Sequence, residues 1–287
     1  MWIAIKVEMA QENDMTSLEN KAKMPVIFLG HGSPTNVVDK NEVTDAMKEM
    51  ARKWPTPKAI LMISAHWTTK GTWVTHMGHP RTIHDFYGFA DELYDFKYSA
   101  PGSPELAESV QKIIGPSIIH LDDSQWGLDH GAWSVLTHLY PKANIPVVQM
   151  SLDMTQGNQY HFDLGQKLSF LRSQGVLILG SGNIIHNLNR ISWESQAPPQ
   201  TWAQEFDKWV KEKALNRNFS ALISETTETE YGKLSLPTTE HYIPFLYILG
   251  ASDSEDELYF DIEAIQNSSI SMRSFRFTTR GLSFDQK

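Results

Sequence analysis

Four histidines and their neighbours are where this chain could do chemistry. His31 stands between two glycines in Gly30-His31-Gly32-Ser33-Pro34, directly after the apolar run Val26-Ile27-Phe28-Leu29. Little side-chain bulk surrounds it, and the glycines leave the backbone free to turn sharply. His66 follows the apolar run Ala59–Ser64, and His186 lies just beyond Val176–Leu179 and Gly180-Ser181-Gly182-Asn183. His241, beside Glu240, opens a helical segment. Each histidine taken singly fits a structural role, but several in one setting point to a shared site. In open α/β sheets, ligands bind in the crevice beyond the carboxyl ends of parallel strands. If the three strands share a sheet, His31, His66 and His186 converge there.

The donor types narrow the chemistry. The chain has no cysteine, which removes disulfides, thiolate metal sites, iron–sulfur clusters and cysteine nucleophiles together. Imidazole with carboxylate suits Zn or non-haem Fe(II). Glu240 beside His241 leaves both a 2-His-1-carboxylate set and an all-histidine set open. Gly180-Ser181-Gly182 lacks the third glycine of a dinucleotide fingerprint and the Lys-Ser/Thr pair of a P-loop. Its expected service is to let Asn183 and His186 approach the site. His138, Asp153 and His161 have no partner motif and read as surface or packing residues.

The elements that must position these residues alternate along the chain. Val26–Leu29, Ala59–Ser64, Val147–Leu152 and Val176–Leu179 read as buried strands, because their apolar runs are continuous rather than alternating. Trp73–His76 and Ser117–Leu121 read as shorter strands, and Leu258–Ile262 and Ser271–Thr278 as closing ones. Helices are expected over Glu42–Trp54, from Pro104 to Ile114 behind the N-cap Ser103, over Ala132–Tyr140 behind Asp129, and over Asn158–Gln174 up to Gly175. Trp202, Phe206, Trp209 and Val210 form one helical face and read as core. The segment Gly78–Gly102 reads as a long loop, and loops of that length in compact domains are usually functional. Residues 1 to 23 read as a disordered extension or a start-site artefact, and residues 25–287 as a single catalytic domain.

Composition excludes some partners. A net charge of −9 without a basic block disfavours nucleic acid, whose phosphates need a cationic face. No apolar run approaches the roughly 20 residues of a membrane span, and the N-terminus lacks a signal peptide's apolar core. A cytoplasmic protein is expected. The sequence carries no signal of oligomeric state.

Together, Gly30-His31-Gly32-Ser33-Pro34, Ser64-Ala65-His66-Trp67, Asp129-His130-Gly131, Gly180-Ser181-Gly182-Asn183 with His186-Asn187-Leu188, and Glu240-His241-Tyr242 resemble the class III extradiol ring-cleavage dioxygenases. Within that family they most resemble the 4,5-DOPA extradiol dioxygenase branch of bacteria and betalain-making plants. The resemblance runs from about Pro25 to Thr278. It implies a single α/β domain with a mixed, largely parallel central sheet flanked by helices, and a crevice at the strand C-terminal ends holding one mononuclear divalent metal. It implies a catechol substrate such as L-DOPA, into which molecular oxygen is inserted beside the two hydroxyls rather than between them. Fe(II) is the metal that oxygen chemistry requires, with zinc as a substitute acquired on purification.

The same resemblance implies roles. His31 and His66 are ligands, and His241 is the third, with Glu240 as its rival. His186 is either a fourth ligand or the base, since a neutral imidazole does one task or the other. His130, next to Asp129, is a second acid–base group or an anchor for a substrate hydroxyl. Trp67, Trp126, Trp133, Phe86 and Tyr87 are candidates to wall an aromatic pocket, although each singly reads as core.

Two other readings of these residues stay open. One is a zinc hydrolase using His and Glu ligands and a metal-bound water, and the other a metal- or small-molecule-binding protein without turnover. The chain has no His-Glu-x-x-His helix, which counts against the commonest zinc-protease layout. A need for redox-active iron and oxygen separates ring cleavage from both.

Overall fold

The computed structural model describes residues 23–194 and 197–280. The expectation for the N-terminal extension thus lies outside the described residues, Lys23 excepted. Eight strands form one mixed sheet: β1 (Val26–Gly30), β2 (Ala59–Thr69), β3 (Thr72–Thr75), β4 (Ile119–Asp122), β5 (Val147–Asp153), β6 (Val176–Gly182), β7 (Asp256–Tyr259) and β8 (Phe275–Thr279). Their spatial order is β4-β3-β5-β2-β6-β1-β8-β7. The middle of the sheet, β5-β2-β6-β1, is parallel, and β8 and β7 close one edge antiparallel.

The uninterrupted apolar runs have the cause expected of them, because both faces of the sheet are covered. Ile27, Leu29, Ile60 and Met62 pack with α1 (Glu42–Met50) and α3 (His130–Leu139). Val26, Phe28, Leu61 and Ile63 pack on the other face with α2 (Pro104–Ile114), α4 (Asn158–Leu168), α5 (Thr201–Leu215) and α6 (Ile243–Ala251). Ser103 and Asp129 cap α2 and α3 by accepting backbone N–H bonds from Leu106 and Ala132. Phe206 and Val210 of α5 are core residues, with Trp202 and Trp209 packed against them.

Three departures matter for the site. β2 is longer than its apolar run, and its register with β5 shifts between Ile63 and Thr68, so His66 lies inside an irregular strand rather than beyond one. The expected strand Ser271–Thr278 is broken. Ile270–Ser271 and Phe275–Thr279 pair separately, because Ser274 turns its hydroxyl to the backbone N–H groups of Asp261 and Ile262, 2.9 Å from each. The long loop holds a two-residue bridge at Arg81–Thr82 and a short helix at Asp91–Asp95. Among the described residues, no helix is long and apolar enough to cross a membrane.

Candidate metal centre

The parallel strands β2, β6 and β1 bring the site together at their C-terminal ends. The His31 backbone N–H donates to the Gly182 carbonyl at 3.1 Å, and the Asn183 N–H donates to the His241 carbonyl at 2.9 Å. The end of β6 thus ties the residue after β1 to the turn before α6. Gly182 has to be a glycine here, since a Cβ would stand 2.1 Å from the His241 carbonyl oxygen. Gly131 is constrained likewise, as a Cβ would meet Ser64 Oγ at 2.5 Å and the His66 ring at 2.9 Å. Asn183 does not face the site as expected. Its amide donates to the Ser271 carbonyl at 2.8 Å, so it braces the chain after β6.

One nitrogen each from His31, His66 and His241 lies within 4.8 Å of the others, and Nε2 of His31 is 3.1 Å from Nε2 of His66. The other nitrogen of each ring lies beside an oxygen. Nδ1 of His31 lies 3.0 Å from Ser181 Oγ, which itself donates to the Gly131 carbonyl at 2.5 Å. With its proton committed there, Ser181 can only accept, so His31 carries its hydrogen on Nδ1 and presents a lone pair at Nε2. Nδ1 of His66 lies 3.2 Å from Asp85 Oδ2, and Nδ1 of His241 lies 3.1 Å from Glu240 Oε1. His241 Nε2 is buried and has no hydrogen-bond partner among the described residues.

A histidine that ligates a metal almost always gives its other N–H to an oxygen acceptor; His31 and His241 do so, and His66 Nδ1 stands beside the Asp85 carboxylate. Two further triplets, His66-Asp85-His130 and His186-Glu240-His241, also bring donor atoms within 4.8 Å. Their carboxylates serve as hydrogen-bond acceptors for ring N–H groups instead. Burial, reinforced by the neighbouring histidines, holds His31, His66 and His241 well below the ordinary histidine range. The neutral ring is the form a metal binds. Three nitrogens without a thiolate fit a borderline or hard divalent ion such as Zn or Fe(II).

His130 opens α3 and is buried beside the triplet, its ring centroid 3.9 Å from that of His66. Its carboxylate partner is Asp85, not the adjacent Asp129. His130 Nδ1 lies 2.9 Å from Asp85 Oδ2, and its backbone N–H donates to Oδ1 at 2.8 Å. Burial pushes the Asp85 carboxyl up, but the His130 hydrogen bonds and nearby imidazoles outweigh it and bring it down to about 2. Asp129 instead accepts from Ser64 Oγ at 2.7 Å, from the Ala132 N–H and from the Gln149 amide. Burial, with the Asp85 charge nearby, raises its carboxyl to about 6.

His186 lies next to the triplet without joining it. Its ring stacks on His241 with centroids 3.5 Å apart and planes 10° from parallel. Imidazole lone pairs lie in the ring plane, so in this arrangement the two parallel rings aim side by side and not at one point. Burial lowers His186 to about 4, against a smaller opposing effect of Glu240. Glu240 Oε1 also accepts from Thr238 Oγ1 at 2.8 Å, which places this carboxylate behind His241.

A cavity of about 420 Å³ opens onto the five histidines, walled by Phe86, Tyr87, Phe89, Leu188, Ile191 and Ile270. Of the five aromatic candidates, Phe86 and Tyr87 line it. Trp67 and Trp126 stack on each other at 5.7 Å, and Trp133 is fully buried behind Phe86. His138 and His161 are packing residues, both buried rather than on the surface, and so is Asp153. Sequence reasoning missed Asp85. The length and aromatic content of its loop signalled function, but nothing local singled out that carboxylate among its neighbours.

Residues 24–277 match the family described as the catalytic LigB subunit of aromatic ring-opening dioxygenase. The chain is 42% identical over 260 residues to the 4,5-DOPA dioxygenase extradiol of Escherichia coli (strain K12), covering 89% of this chain and 95% of that protein. It is 36% identical over 259 residues to the 4,5-DOPA dioxygenase extradiol of Beta vulgaris, covering 88% and 96%. The crystal structure of an uncharacterized protein from Escherichia coli K12 superposes with a TM-score of 0.78 at 38% identity, over 88% of this chain and 99% of that one. A cysteine-free cluster of neutral histidines beneath an apolar cavity suits the chemistry those matches describe, and the chain belongs to this family as an extradiol ring-cleavage dioxygenase, an oxidoreductase.

Proposed function

We propose that this enzyme opens the ring of an L-DOPA-like catechol, with Fe(II) held by His31, His66 and His241 and with His130 and His186 moving protons. The convergence of three imidazole nitrogens, with Nδ1 hydrogen-bonded to an oxygen in two of the rings and beside a carboxylate in the third, carries the reading. When bound, Fe(II) supplies a chelation point for both catechol oxygens, lowers their hydroxyl pKa values, and gives O₂ a redox partner that zinc does not.

The protein supplies the remainder. The apolar walls fit the faces of an aromatic ring and exclude water from it. His130 takes the proton that leaves a catechol hydroxyl, because its Nδ1 is committed to Asp85 and its other nitrogen is left for substrate. His186 lines the same cavity and stacks on His241 outside the triplet, so it is assigned as the second proton carrier in preference to a fourth ligand. L-DOPA as substrate rests on the names of the relatives. A cytoplasmic setting fits a chain without cysteine.

The test is oxygen uptake. Metal-stripped protein reloaded anaerobically with Fe(II), then given L-DOPA and air, is expected to consume one O₂ per substrate and yield a yellow ring-opened product. No uptake with L-DOPA or simpler catechols, with iron confirmed in the site, would sink the proposal.

A further inference from the structure

We infer that Asp85 is the positioning residue that makes His130 a proton acceptor, one carboxylate holding both the ring and the main chain of this residue. The inference rests on the proposed role of His130. Asp85 does not itself line the cavity, although Phe86 and Tyr87 beside it do. Two N–H groups of His130 donate to its two oxygens, the backbone N–H to Oδ1 at 2.8 Å and Nδ1 to Oδ2 at 2.9 Å, and His66 Nδ1 stands 3.2 Å from the same Oδ2 without hydrogen-bond geometry.

An ionised carboxylate only accepts hydrogen bonds. Hydrogen-bonded to one, the His130 ring must carry its hydrogen on Nδ1, which leaves Nε2 as a lone pair. That nitrogen is the atom that can take a proton from a substrate hydroxyl: the O–H bond breaks, an Nε2–H bond forms, and the Nδ1–H stays on Asp85. The backbone contact adds a second anchor, since Asp85 grips both the main chain and the ring of the first residue of α3. Asp129, the carboxylate adjacent in sequence, is occupied by Ser64, Ala132 and Gln149 and cannot substitute.

The decisive substitution is Asp85→Asn, which keeps the shape and removes one acceptor. An amide offers an oxygen to only one of the two His130 N–H groups and turns its NH₂ toward the other. When the NH₂ meets Nδ1, the ring has to move its hydrogen to Nε2, and the neutral base is lost. The corresponding change behind a triad histidine costs about 10⁴ in kcat, and general acid–base catalysis spans about 10²–10⁴-fold. The expected loss in kcat is therefore about 10²–10⁴-fold, at saturating metal and with KM for the catechol changed by less than about threefold.

A double-mutant cycle with His130→Ala tests the route. In the His130→Ala background, Asp85→Asn should cost less than about threefold more. An equal further loss there, or recovery of the Asp85→Asn rate by added metal, would overturn the inference by showing that Asp85 acts through His66 alone. A second readout needs no turnover. In zinc-loaded, ¹⁵N-labelled protein, His130 should show a protonated Nδ1 and an unprotonated Nε2, and Asp85→Asn should reverse or mix them. An Nε2–H tautomer in the unsubstituted protein would overturn the inference. That spectrum stands even if L-DOPA is not turned over, so failure of the substrate reading and failure of this one are separable.

Discussion

An imidazole has two nitrogens and a metal takes one, so the second nitrogen records what the ring is for. At His31 and His241 the second nitrogen meets Ser181 and Glu240. Glu240 was a rival ligand when only its adjacency to His241 was legible. Its carboxylate now orients His241, and the two roles predict different outcomes. Glu240→Gln keeps an acceptor oxygen but loses the charge, and it should weaken metal binding about 10–100-fold while one ion still binds at saturation. Competition against a chelator measures this, and loss of stoichiometric binding would make Glu240 a ligand after all. His31, His66, His186 and His241 were legible because each follows a recognisable strand or opens a helix. Asp85 was not, because its partners stand 19 and 45 positions along the chain and no local pattern encodes that meeting.

At the scale of elements, the strands that carry the site were readable from their apolar runs and the helices from their caps. What could not be read is how far each element extends and which backbone it touches. The run Ala59–Ser64 does not announce that β2 continues to Thr69 through an irregular register. Gly180-Ser181-Gly182 looked like room for side chains and proves to be room for backbone, because the turn before α6 passes directly over Gly182. Gly182→Ala should therefore push His241 away, destabilising the fold by about 1–3 kcal/mol as overpacking does and weakening metal binding in parallel. Urea unfolding and metal titration of the variant measure both. Unchanged metal affinity would show that His241 does not depend on this contact.

For the whole molecule, the buried histidines make stability depend on pH. Burial lowers His161 and His186 to about 4 from a model-peptide value of 6.5. Between those limits the unfolded chain binds protons that the folded one refuses, so metal-free protein should lose stability as pH falls from about 6.5 toward 4. His31, His66 and His241 shift in the same direction. Asp129, raised to about 6, works against this over most of the window, below about pH 6, but is one carboxyl against five imidazoles. Thermal unfolding of chelator-treated protein across this range should show a midpoint that falls steadily with acid. A flat profile would mean that these rings take up protons without unfolding.

The position of β1 has a consequence for how the enzyme comes by its metal. This first strand lies between β6 and β8, which begin at Val176 and Phe275. During synthesis, Val26–Gly30 therefore waits for most of the chain before it has a neighbour, the kind of long-range pairing that makes folding slow. His31 and His241 are likewise 210 positions apart along the chain, and a nascent fragment holds neither the pair nor the cradle around it. The ion is taken up by a finished protein from whatever the cell then offers. Nitrogen sites bind zinc more tightly than Fe(II), so the proposed Fe(II) form would depend on supply at the end of synthesis and not on the affinity of the site.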